Sequence, residues 1–516
     1  MASGARIDAA MITLIPWSTG LKTQADHYGD LVAVSDGERE IAHRALAGRA
    51  ARLAEMLLAA GVRPGEPVAT FLRNGIPAVW ASYGAKMSGA AETPLNPALT
   101  EDERRYCVGL AGVRHVVTTA TMAPFFRSHG CEVIAVEDVA ADPGDPGQIP
   151  PVPAQVWGRI IFTSGTTGRP KAIVHTHEAR WIANLLQRAT LPYAPAPGTR
   201  ALLMTPFTHG ASLISFAFLE HGASVVLLDG IDLPRVEAAL EAGIDHVFAP
   251  PTVLAKLTSA FEGRRFPRVR LVFCGTSTLT PALYEKARAI FGPVVRVTYG
   301  KSEIVNPITV LPPDACDRYY REEATGDGAC VGWPGPGVEV EVWREDGSRC
   351  GTDEIGEVHL RARHMLAGHI DEAGFHALPP DGYHATGDLG RIDGRGRLYL
   401  VGRTADVIKS GGYKIHPEEI ERALAGTAPA IVVTTLPSDY WGEVIVAVAE
   451  NAPPDWEMRA REAAESLAKY KRPRAFLSLE TLPRNPQVKV PRAKVRSEIL
   501  EGYRLIDGPR PALAPR

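Results

Sequence analysis

The chain has 516 residues, of which 45% are hydrophobic and 22% are charged, and its formal net charge is −3. These values are typical of a globular protein with a large core, and they exclude the strongly basic character that marks nucleic-acid binding. The longest apolar run, Ala211–Leu219, is about half of the roughly 20 residues that span a bilayer, and no secretion signal is recognisable near the N-terminus. We therefore expect a cytoplasmic protein.

The elements predicted from the sequence are typical of an α/β protein. Hydrophobic periodicity predicts a first helix over Glu38–Ala60 with Gly61 as its stop, and Thr100 with Glu103 forms a capping box for another helix. Short apolar runs then predict buried strands over His115–Thr118, Val133–Val136, Ile160–Phe162, Ala223–Leu228, His246–Ala249, Val269–Phe273 and Val294–Val297. Amphipathic segments between them predict helices over Leu233–Ala242 and Pro281–Phe291. This alternation indicates α/β layers with largely parallel sheets.

Two segments interrupt this alternation. Ala141–Gln155 is rich in Pro, Gly and Asp, and we expect a loop or a subdomain joint there. The pattern changes from Gly402 onward, where a small α+β domain of about 110 residues is predicted. Its elements are a helix over Pro417–Ala425, strands over Ala430–Leu436 and Glu443–Glu450, and a helix over Trp456–Tyr470.

Cysteine usage indicates neither a zinc knuckle nor a redox dithiol, because no two cysteines form a CxxC pair. We expect buried, reduced thiols with a packing role. They are Cys107, Cys131, Cys274, Cys316, Cys330 and Cys350.

The segment from Ile161 to Lys171 carries the clearest chemical signal. An apolar strand runs into hydroxyl-bearing residues and glycines, which Pro170 and Lys171 follow. Glycines let backbone N–H groups turn toward an anion, hydroxyls donate to phosphate oxygens, and the lysine adds a positive charge. No lysine follows a glycine at the Walker spacing, so this is a different kind of phosphate loop. The residues concerned are Thr163, Ser164, Gly165, Thr166, Thr167, Gly168 and Lys171.

This segment resembles the phosphate loop of the adenylate-forming (ANL) superfamily, which includes acyl-CoA synthetases, adenylation domains of peptide synthetases and luciferases. Further motifs follow in the family's order over nearly the whole chain. The resemblance implies an α/β fold: a large N-terminal domain of layered α/β subdomains, with mostly parallel sheets plus a distorted barrel, and a small mobile C-terminal α+β domain. The expected boundaries are 1–401 for the large domain, 402–406 for the hinge and 407–516 for the small domain.

Residues 299–303, Tyr-Gly-Lys-Ser-Glu, are similar to the family's aromatic-Gly-x-Thr-Glu signature. The resemblance implies that Tyr299 stacks on adenine, Ser302 contacts the α-phosphate and Glu303 holds Mg²⁺. Mg²⁺ prefers hard oxygen ligands and needs few protein carboxylates when phosphates supply the rest.

Other positions complete the nucleotide site that the resemblance implies. A loop after the predicted strand at 269–273 is similar to the one that lies along the adenine and the acyl group. An aspartate in a Thr-Gly-Asp motif is expected to accept hydrogen bonds from the ribose hydroxyls, as carboxylates do in dinucleotide-binding folds. An arginine at the start of the hinge is expected to contact the ribose as well. The residues that complete the expected ATP site are Gly275, Thr276, Ser277, Gly300, Asp388, Leu400 and Arg403.

The C-terminal motifs imply how the second reaction step is organised. The segment Gly402–Ile415 resembles the family's hinge and acceptor loop, and Leu482–Val490 resembles its Leu-Pro-Arg-x-x-x-Gly-Lys segment, which makes Lys489 the expected adenylation lysine. Two positions depart from the pattern. Ala405 stands where most relatives carry Asp or Lys, and Val488 replaces the glycine before the lysine. The loop that meets the thiol is expected at Ser410, Gly411, Gly412 and Tyr413.

The acid pocket is expected around four residues. Thr205–Gly210 resembles, with imperfect spacing, the family's Pro-x-x-His-x-x-Gly region, and this puts His209 beside the carboxylate. Relatives that use very small acids carry a bulky residue at the position of Gly300, so glycine implies a deeper pocket for an aromatic or medium-length acid. Lys301, unusual at its position, either pairs with an acidic group on the substrate or points away from it. Asn306 is a further polar candidate.

The resemblance implies an AMP-forming acid–thiol ligase with Lys489, Glu303 and His209 as catalytic residues. It would activate a carboxylic acid with ATP and Mg²⁺ as acyl-AMP and then transfer the acyl group to coenzyme A. Alternatives stay open at this point. In one alternative, the acceptor is the phosphopantetheine arm of an acyl carrier protein instead of coenzyme A. In another, the chain is a repurposed member that activates nitrite for the ATP-dependent diazotisation of an aryl amine. A non-catalytic homologue should lack Lys489 and Glu303. We expect a monomer or homodimer without nucleic-acid or membrane partners.

Overall fold

The computed structural model describes residues 13–139, 143–164, 170–324, 328–379, 382–410, 413–485 and 490–516. Contacts divide the chain into two compact units. The first comprises residues 1–321, 334–339 and 361–384, and the second comprises 322–333, 340–360 and 385–516. Among the described residues, none of the helices combines the length and the apolar character needed to cross a membrane.

In chain order the helices are α1 (Trp17–Tyr28), α2 (His43–Ala59), α3 (Ile76–Met87), α4 (Glu101–Ala111), α5 (Ala123–Ser128), α6 (His177–Ala189), α7 (Ser212–Leu219), α8 (Leu233–Glu241), α9 (Pro251–Ala260), α10 (Pro281–Phe291), α11 (Pro313–Arg318), α12 (Pro417–Ala423), α13 (Trp456–Ala463) and α14 (Arg492–Gly502).

The strands are β1 (Leu14–Ile15), β2 (Val32–Ser35), β3 (Glu40–Ala42), β4 (Pro67–Phe71), β5 (Ala91–Pro94), β6 (His115–Thr118), β7 (Glu132–Ala135), β8 (Val152–Pro153), β9 (Trp157–Ser164), β10 (Pro170–Thr176), β11 (Arg200–Leu203), β12 (Ser224–Leu227), β13 (His246–Phe248), β14 (Leu271–Gly275), β15 (Val295–Thr298), β16 (Thr309–Val310), β17 (Ala329–Pro334), β18 (Val338–Trp343), β19 (Gly356–Ala362), β20 (Gly368–Asp371), β21 (Gly374–Ala377), β22 (His384–Ile392), β23 (Leu398–Arg403), β24 (Ile408–Ser410), β25 (Tyr413–Ile415), β26 (Ala430–Ser438), β27 (Gly442–Glu450), β28 (Ala475–Leu479), β29 (Tyr503–Ile506) and β30 (Ala512–Pro515).

Two large sheets form the first unit. One has the strand order β15-β14-β13-β11-β12-β2-β3 and is parallel except for the β2–β3 pair. The other has the order β21-β20-β10-β9-β5-β4-β6-β7, in which β9, β5, β4, β6 and β7 run parallel while β10, β20 and β21 continue antiparallel. Parallel strands need crossover connections, and the intervening helices supply them.

One hydrophobic core joins the two sheets of the first unit. Helix α2 contributes Leu53 and helix α3 contributes Trp80, and these pack with Val117 of one sheet and Val225 of the other. A second core, which includes Phe126 of α5, covers the opposite face of the eight-stranded sheet. The helices therefore form a layer between two sheets, as the α/β alternation of the sequence predicts.

The second unit holds a sheet, in which β23 pairs antiparallel with β17 and β22, and a C-terminal α+β part. Strands β17, β23, β22, β19 and β18 neighbour one another in that order. Further along the chain, β26, β27 and β28 form a sheet with a core on each face. Ile420 of α12 and Trp456 of α13 belong to one core, and Val495 of α14 belongs to the other. The C-terminal sheet is thus covered by helices on both faces.

Several predicted bounds need correction. The helix predicted over Glu38–Ala60 begins only at His43, because Glu40–Ala42 pairs with β2 as strand β3. The predicted loop Ala141–Gln155 contains a helical turn at Pro146–Gln148 and the short strand β8. The helix predicted over Trp456–Tyr470 ends at Ala463 and continues as two separate turns, Ala464–Ser466 and Lys469–Lys471. In the two helices the apolar periodicity extends beyond the helical residues, and strand pairing or a break into short turns ends the helix.

Other predictions agree with the structure. Strand His115–Thr118 and helix Pro281–Phe291 have the predicted bounds, and Thr100 and Glu103 form the capping box. None of the six cysteines, all of which lie within the described residues, forms a disulfide, and five of them are buried. Burial raises the pKa of the Cys107 and Cys274 thiols to about 12, which leaves them protonated and unreactive at neutral pH.

Candidate active site

The predicted nucleotide-binding segments of the first unit follow the carboxyl ends of sheet strands. Strand β14 ends at Gly275 and its parallel neighbour β15 ends at Thr298, and these two residues lie opposite each other. The loop that begins at Thr276 and the motif that begins at Tyr299 therefore leave the same edge side by side. Ligands of open α/β sheets bind at this edge.

The predicted phosphate loop stands between two strands, β9 and β10, which pair antiparallel. Thr163 of β9 lies opposite Lys171 of β10, and Ser164 lies opposite Pro170. This pairing brings one predicted hydroxyl and the predicted lysine to the same position of the sheet. Gly165, Thr166, Thr167 and Gly168, which the sequence assigns to the same loop, lie outside the described residues.

A buried histidine of β10 ties this strand to the predicted Mg²⁺-binding motif. The imidazole Nε2 of His175 donates a hydrogen bond to the carbonyl oxygen of Ser302 at 2.8 Å. Burial lowers the pKa of His175 to about 4, so the ring is neutral at pH 7. On the other side, the backbone N–H of Leu366 donates to the carbonyl oxygen of Glu303 at 2.7 Å. The backbone of Ser302 and Glu303 is thereby held from two directions.

The predicted adenine residue Tyr299 is buried and its backbone is fixed by Thr309. The N–H of Tyr299 donates to the Thr309 hydroxyl at 3.0 Å, and the hydroxyl of Thr298 donates to the carbonyl of Thr309 at 2.7 Å. These bonds hold the start of the motif in one backbone conformation.

The Glu303 carboxylate fits the predicted metal role. Its side chain is half-buried and forms no hydrogen bond or ion pair with any of the described residues. Glutamates are seldom left half-buried and unpaired, because desolvation of the charge is then uncompensated. A hard divalent cation such as Mg²⁺ supplies that compensation.

The loop after β14 carries backbone strain. Thr276 has φ 71°, a left-handed conformation that β-branched residues rarely adopt. Its neighbour Gly275 cannot be enlarged, since a Cβ there would lie 2.8 Å from the carbonyl oxygen of Thr298. Ser277 follows on the exposed part of the loop. Strain of this kind concentrates at functional loops.

The segment that contains the predicted acid-pocket residue His209 is held by one buried arginine. The backbone turn Phe207–Ala211, which contains His209, is held by Arg159, whose guanidinium donates to the Thr208 carbonyl at 2.8 Å and to the Ser212 hydroxyl at 2.9 Å. The side chain of His209 itself lies outside the described part of the structure.

Gly300 and Asn306 face each other. A Cβ at position 300 would lie 3.7 Å from the amide nitrogen of Asn306, an ordinary contact distance, so the space above Gly300 is bounded by this amide. The amide oxygen of Asn306 is buried and has no hydrogen-bond partner among the described residues. Lys301 pairs through its backbone with Ile304. The structure thus brings two of the pocket residues together.

In the second unit, the two predicted ribose residues contact each other. Asp388 of β22 and Arg403 of β23 are opposite in the antiparallel pair, and Arg403 Nε donates to Asp388 Oδ1 at 3.1 Å. The Asp388 N–H donates to the Thr386 hydroxyl at 3.0 Å, which orients the turn. Leu400, three residues before Arg403, is half-buried on β23.

The predicted hinge is anchored to the C-terminal part by its last residue. Ala405 is exposed, but Asp406 pairs with Arg492 at the start of α14 at 2.8 Å. Arg492 also contacts Glu418 and Glu421 of α12, at 3.0 and 2.7 Å. The compact units do not divide the chain at residue 402, and the predicted domain boundaries stay a prediction.

The remaining predicted residues belong to the acceptor loop and the lysine segment. Ser410 and Tyr413 lie opposite each other in the β24–β25 pair, and the Ser410 hydroxyl donates to the Glu443 carbonyl at 2.5 Å. Gly411, Gly412, Val488 and Lys489 lie outside the described residues.

Three supporting residues have no motif in the sequence. His175, Arg159 and Arg492 contact segments that lie from 49 to 127 positions away along the chain. A signal for Arg159 and His175 was present, since both interrupt otherwise apolar strands. A charged or polar residue that points into a core is expected to have a partner.

Comparisons with known proteins identify the family to which the chain belongs. The family model described as AMP-binding enzyme matches residues 21–369. A 2-succinylbenzoate–CoA ligase of Bacillus licheniformis is 28% identical over 488 residues, which cover 92% of this chain and 98% of the relative. A feruloyl-CoA synthase of an Amycolatopsis species is 29% identical over 482 residues, which cover 90% of this chain and 95% of the relative.

Solved structures match over a similar length. The o-succinylbenzoate coenzyme A synthetase of Bacillus subtilis, in complex with its acyl-adenylate intermediate, matches with a TM-score of 0.82 at 25% identity. The match covers 92% of this chain and 97% of that chain. The same enzyme in complex with ATP and magnesium ion has a TM-score of 0.80 at 25% identity, with 92% of this chain and 98% of that chain covered.

The match to the family model spans well over half of the chain, so the chain belongs to the family of AMP-binding enzymes. The predicted fold class and the resemblance to adenylate-forming ligases of the acyl-CoA synthetase type are confirmed. The chain is accordingly an AMP-forming acid–thiol ligase.

Proposed function

We propose that this enzyme joins an aromatic or medium-length carboxylic acid to coenzyme A through an acyl-AMP intermediate, with the site residues named above. The observation that carries the assignment of the site is the His175–Ser302 hydrogen bond. It links the strand that bears Lys171 to the motif that bears Glu303. Two segments predicted to bind the same triphosphate are thereby in contact.

The first half-reaction is one of positioning and charge neutralisation. A carboxylate is a poor electrophile, since its charge repels nucleophiles and oxide is not a viable leaving group. Its oxygen therefore attacks the α-phosphorus of ATP, the bond to the bridging oxygen breaks, and pyrophosphate leaves. Lys171 and the hydroxyl of Thr163 stabilise charge on the phosphates. When bound at Glu303, Mg²⁺ neutralises further phosphate charge.

In the second half-reaction the thiol sulfur attacks the acyl carbon and AMP leaves with the electrons of the C–O bond, while the thiol proton passes to solvent. We assign Lys489 to the first step and the Ser410–Tyr413 loop to the second. The exchange between them requires rotation of residues 407–516 about the hinge. The ion pair between Asp406 and Arg492 of α14 supports a pivot at or before Ala405.

The proposed acid class rests on Gly300 and on the relatives. Gly300 places no side chain in the space that the Asn306 amide bounds, and this supports an acid larger than acetate. Two relatives are named for aromatic acids, 2-succinylbenzoate and ferulate. A Gly300→Trp variant should lose aromatic substrates while a short acid such as propionate is retained or improved.

The test is pyrophosphate release over a panel of aromatic, medium-chain and short acids, with and without coenzyme A. We expect acid-dependent release for an aromatic or medium-length acid. Glu303→Gln should lower its kcat at least about 100-fold, the scale of losing one electrostatic contact to the transition state. Glu262→Gln, at an exposed position outside the site, is the matched control.

Release that depends on nitrite and an aryl amine instead of a carboxylic acid would contradict the proposed reaction. An unchanged rate in Glu303→Gln would contradict the assigned metal residue alone. Replacing coenzyme A by a phosphopantetheine-bearing carrier protein in the same assay identifies the acceptor.

A further inference from the structure

A second cluster of ligating side chains lies on the hairpin formed by β20 and β21. This hairpin is the edge of the eight-stranded sheet, since β21 is the last strand in its order. His369 of β20 and His376 of β21 lie directly opposite each other, and Asp371 follows His369 by two residues. Alternate residues of a strand share a face, and so do opposite residues of a pair, so all three side chains project from one face.

The three side chains are close enough to share one ion. His376 Nε2 lies 2.9 Å from Asp371 Oδ1, and His369 Nε2 lies 3.8 Å from Asp371 Oδ2. One ligand atom from each residue can be chosen so that all lie within 4.8 Å of one another. Ligands of a tetrahedral zinc ion lie about 3.3 Å apart when each is about 2.0 Å from the metal. The two observed distances between imidazole nitrogen and carboxylate oxygen, 2.9 and 3.8 Å, lie on either side of that value.

A shared ion requires the two rings to turn. The two imidazoles are stacked, with ring centres 4.9 Å apart and planes inclined by 19°, whereas a bound ion lies in the plane of each imidazole that holds it. The Asp371 carboxylate is oriented by the backbone N–H of Ala373, which donates to it at 2.9 Å. A carboxylate held in this way does not have to be ordered when a cation binds.

We propose that His369, Asp371 and His376 form a Zn²⁺ site that fastens the last two strands of the sheet. Two imidazoles and one carboxylate are typical zinc ligands, and a fourth position stays open to water. Mg²⁺ prefers an all-oxygen octahedral shell, so the Mg²⁺ of the reaction does not compete for this cluster. Each side chain is at least one-third exposed, so ions reach the site from solvent and the side chains adjust on binding.

The test uses the full-length enzyme without a histidine tag and zinc chloride as the ligand. Isothermal titration calorimetry should give one equivalent of Zn²⁺ that binds at micromolar concentration or tighter. His369→Gln and His376→Gln should each weaken binding at least about 10-fold. His27→Gln, at an exposed histidine elsewhere on the surface, is the matched control and should bind as the wild type does.

A second readout distinguishes an ordered site from diffuse binding. Co²⁺ in the wild-type protein should give the intense visible absorption of a tetrahedral ion, and Zn²⁺ should raise Tm in the wild type but not in the His369→Gln/His376→Gln double variant. Wild-type-like zinc binding in the double variant would overturn the proposal, as would the absence of any one-equivalent binding. Neither result bears on acid activation, which depends on Mg²⁺.

Discussion

Thr276 holds a left-handed backbone conformation in the loop after β14, where a nucleotide-binding role is proposed. A non-glycine residue in such a conformation costs about 1–3 kcal/mol, and this cost persists only where the surrounding structure fixes the backbone. At the residue scale, the backbone conformation of Thr276 therefore lowers the stability of the folded protein.

Thr276→Gly should therefore raise the free energy of unfolding by up to about 1 kcal/mol, since relief of strain is partly offset by the greater freedom of glycine in the unfolded chain. The same change should raise KM for ATP several-fold, because the loop loses its fixed shape. Urea unfolding and initial-rate kinetics measure the two effects. A glycine variant that is less stable than the wild type would show that the loop is not strained.

Glu92 is a buried carboxylate that pairs with two buried arginines, one of which, Arg159, holds the turn that contains His209. Arg180 contacts it at 2.7 Å and Arg159 at 4.0 Å. Burial alone would raise the pKa of Glu92, but the guanidinium groups of Arg159 and Arg180 outweigh burial and lower it to about 2. Because the pKa of the folded state is below the usual 4.5, the stabilisation is present above pH 4.5 and is lost as the pH falls toward 2.

Glu92→Gln should lower the free energy of unfolding by about 3–5 kcal/mol at pH 7, because two buried guanidinium groups lose their counter-ion. The difference between variant and wild type should shrink as the pH falls from 4.5 toward 2, where Glu92 is protonated. Denaturant unfolding at a series of pH values measures it. A difference that stays constant over this range would contradict the assignment.

At the scale of elements, strand β10 links the segment proposed to bind phosphate to the motif proposed to bind Mg²⁺. The chain offers a matched pair for a test, because His175 on β10 and His177 at the start of α6 are both buried, and burial lowers the pKa of each to about 4. His175 donates to the Ser302 carbonyl, whereas His177 donates to the Gly89 carbonyl.

Alanine at either histidine should cost about 2–4 kcal/mol of stability, through a cavity and an unsatisfied carbonyl. Only His175→Ala should also change the dependence of the rate on Mg²⁺ and raise KM for ATP, since only this residue supports Ser302 and Glu303. Rates measured over a Mg²⁺ series compare the two variants. An equal kinetic effect of both would mean that His175 acts through stability alone.

At the scale of the whole molecule, the sequence predicted the α/β layers and most strand positions, because apolar runs and capping residues act locally. The sequence predicts a helix instead of strand β3, because the residues of β3 continue the helical periodicity of α2. The predicted nucleotide residues of the first unit could be identified because their motifs are contiguous in sequence.

The contacts that hold these motifs could not be predicted, since they join distant segments. Nothing near His175 indicates that Ser302 is its partner, and nothing near Asp406 indicates Arg492. The zinc cluster was missed for a related reason. His369 and His376 meet only after the hairpin forms, and their spacing of seven residues matches no zinc motif.

The central claim is that a carboxylate oxygen of the acid attacks the α-phosphorus of ATP. The most direct measurement uses an acid labelled with ¹⁸O in both carboxylate oxygens, with coenzyme A and Mg²⁺ present, and mass spectrometry of the AMP formed. The account predicts one ¹⁸O atom in each AMP, because the bridging oxygen of acyl-AMP stays with phosphorus when the thiol attacks the acyl carbon. AMP that carries no label while the thioester forms would contradict it.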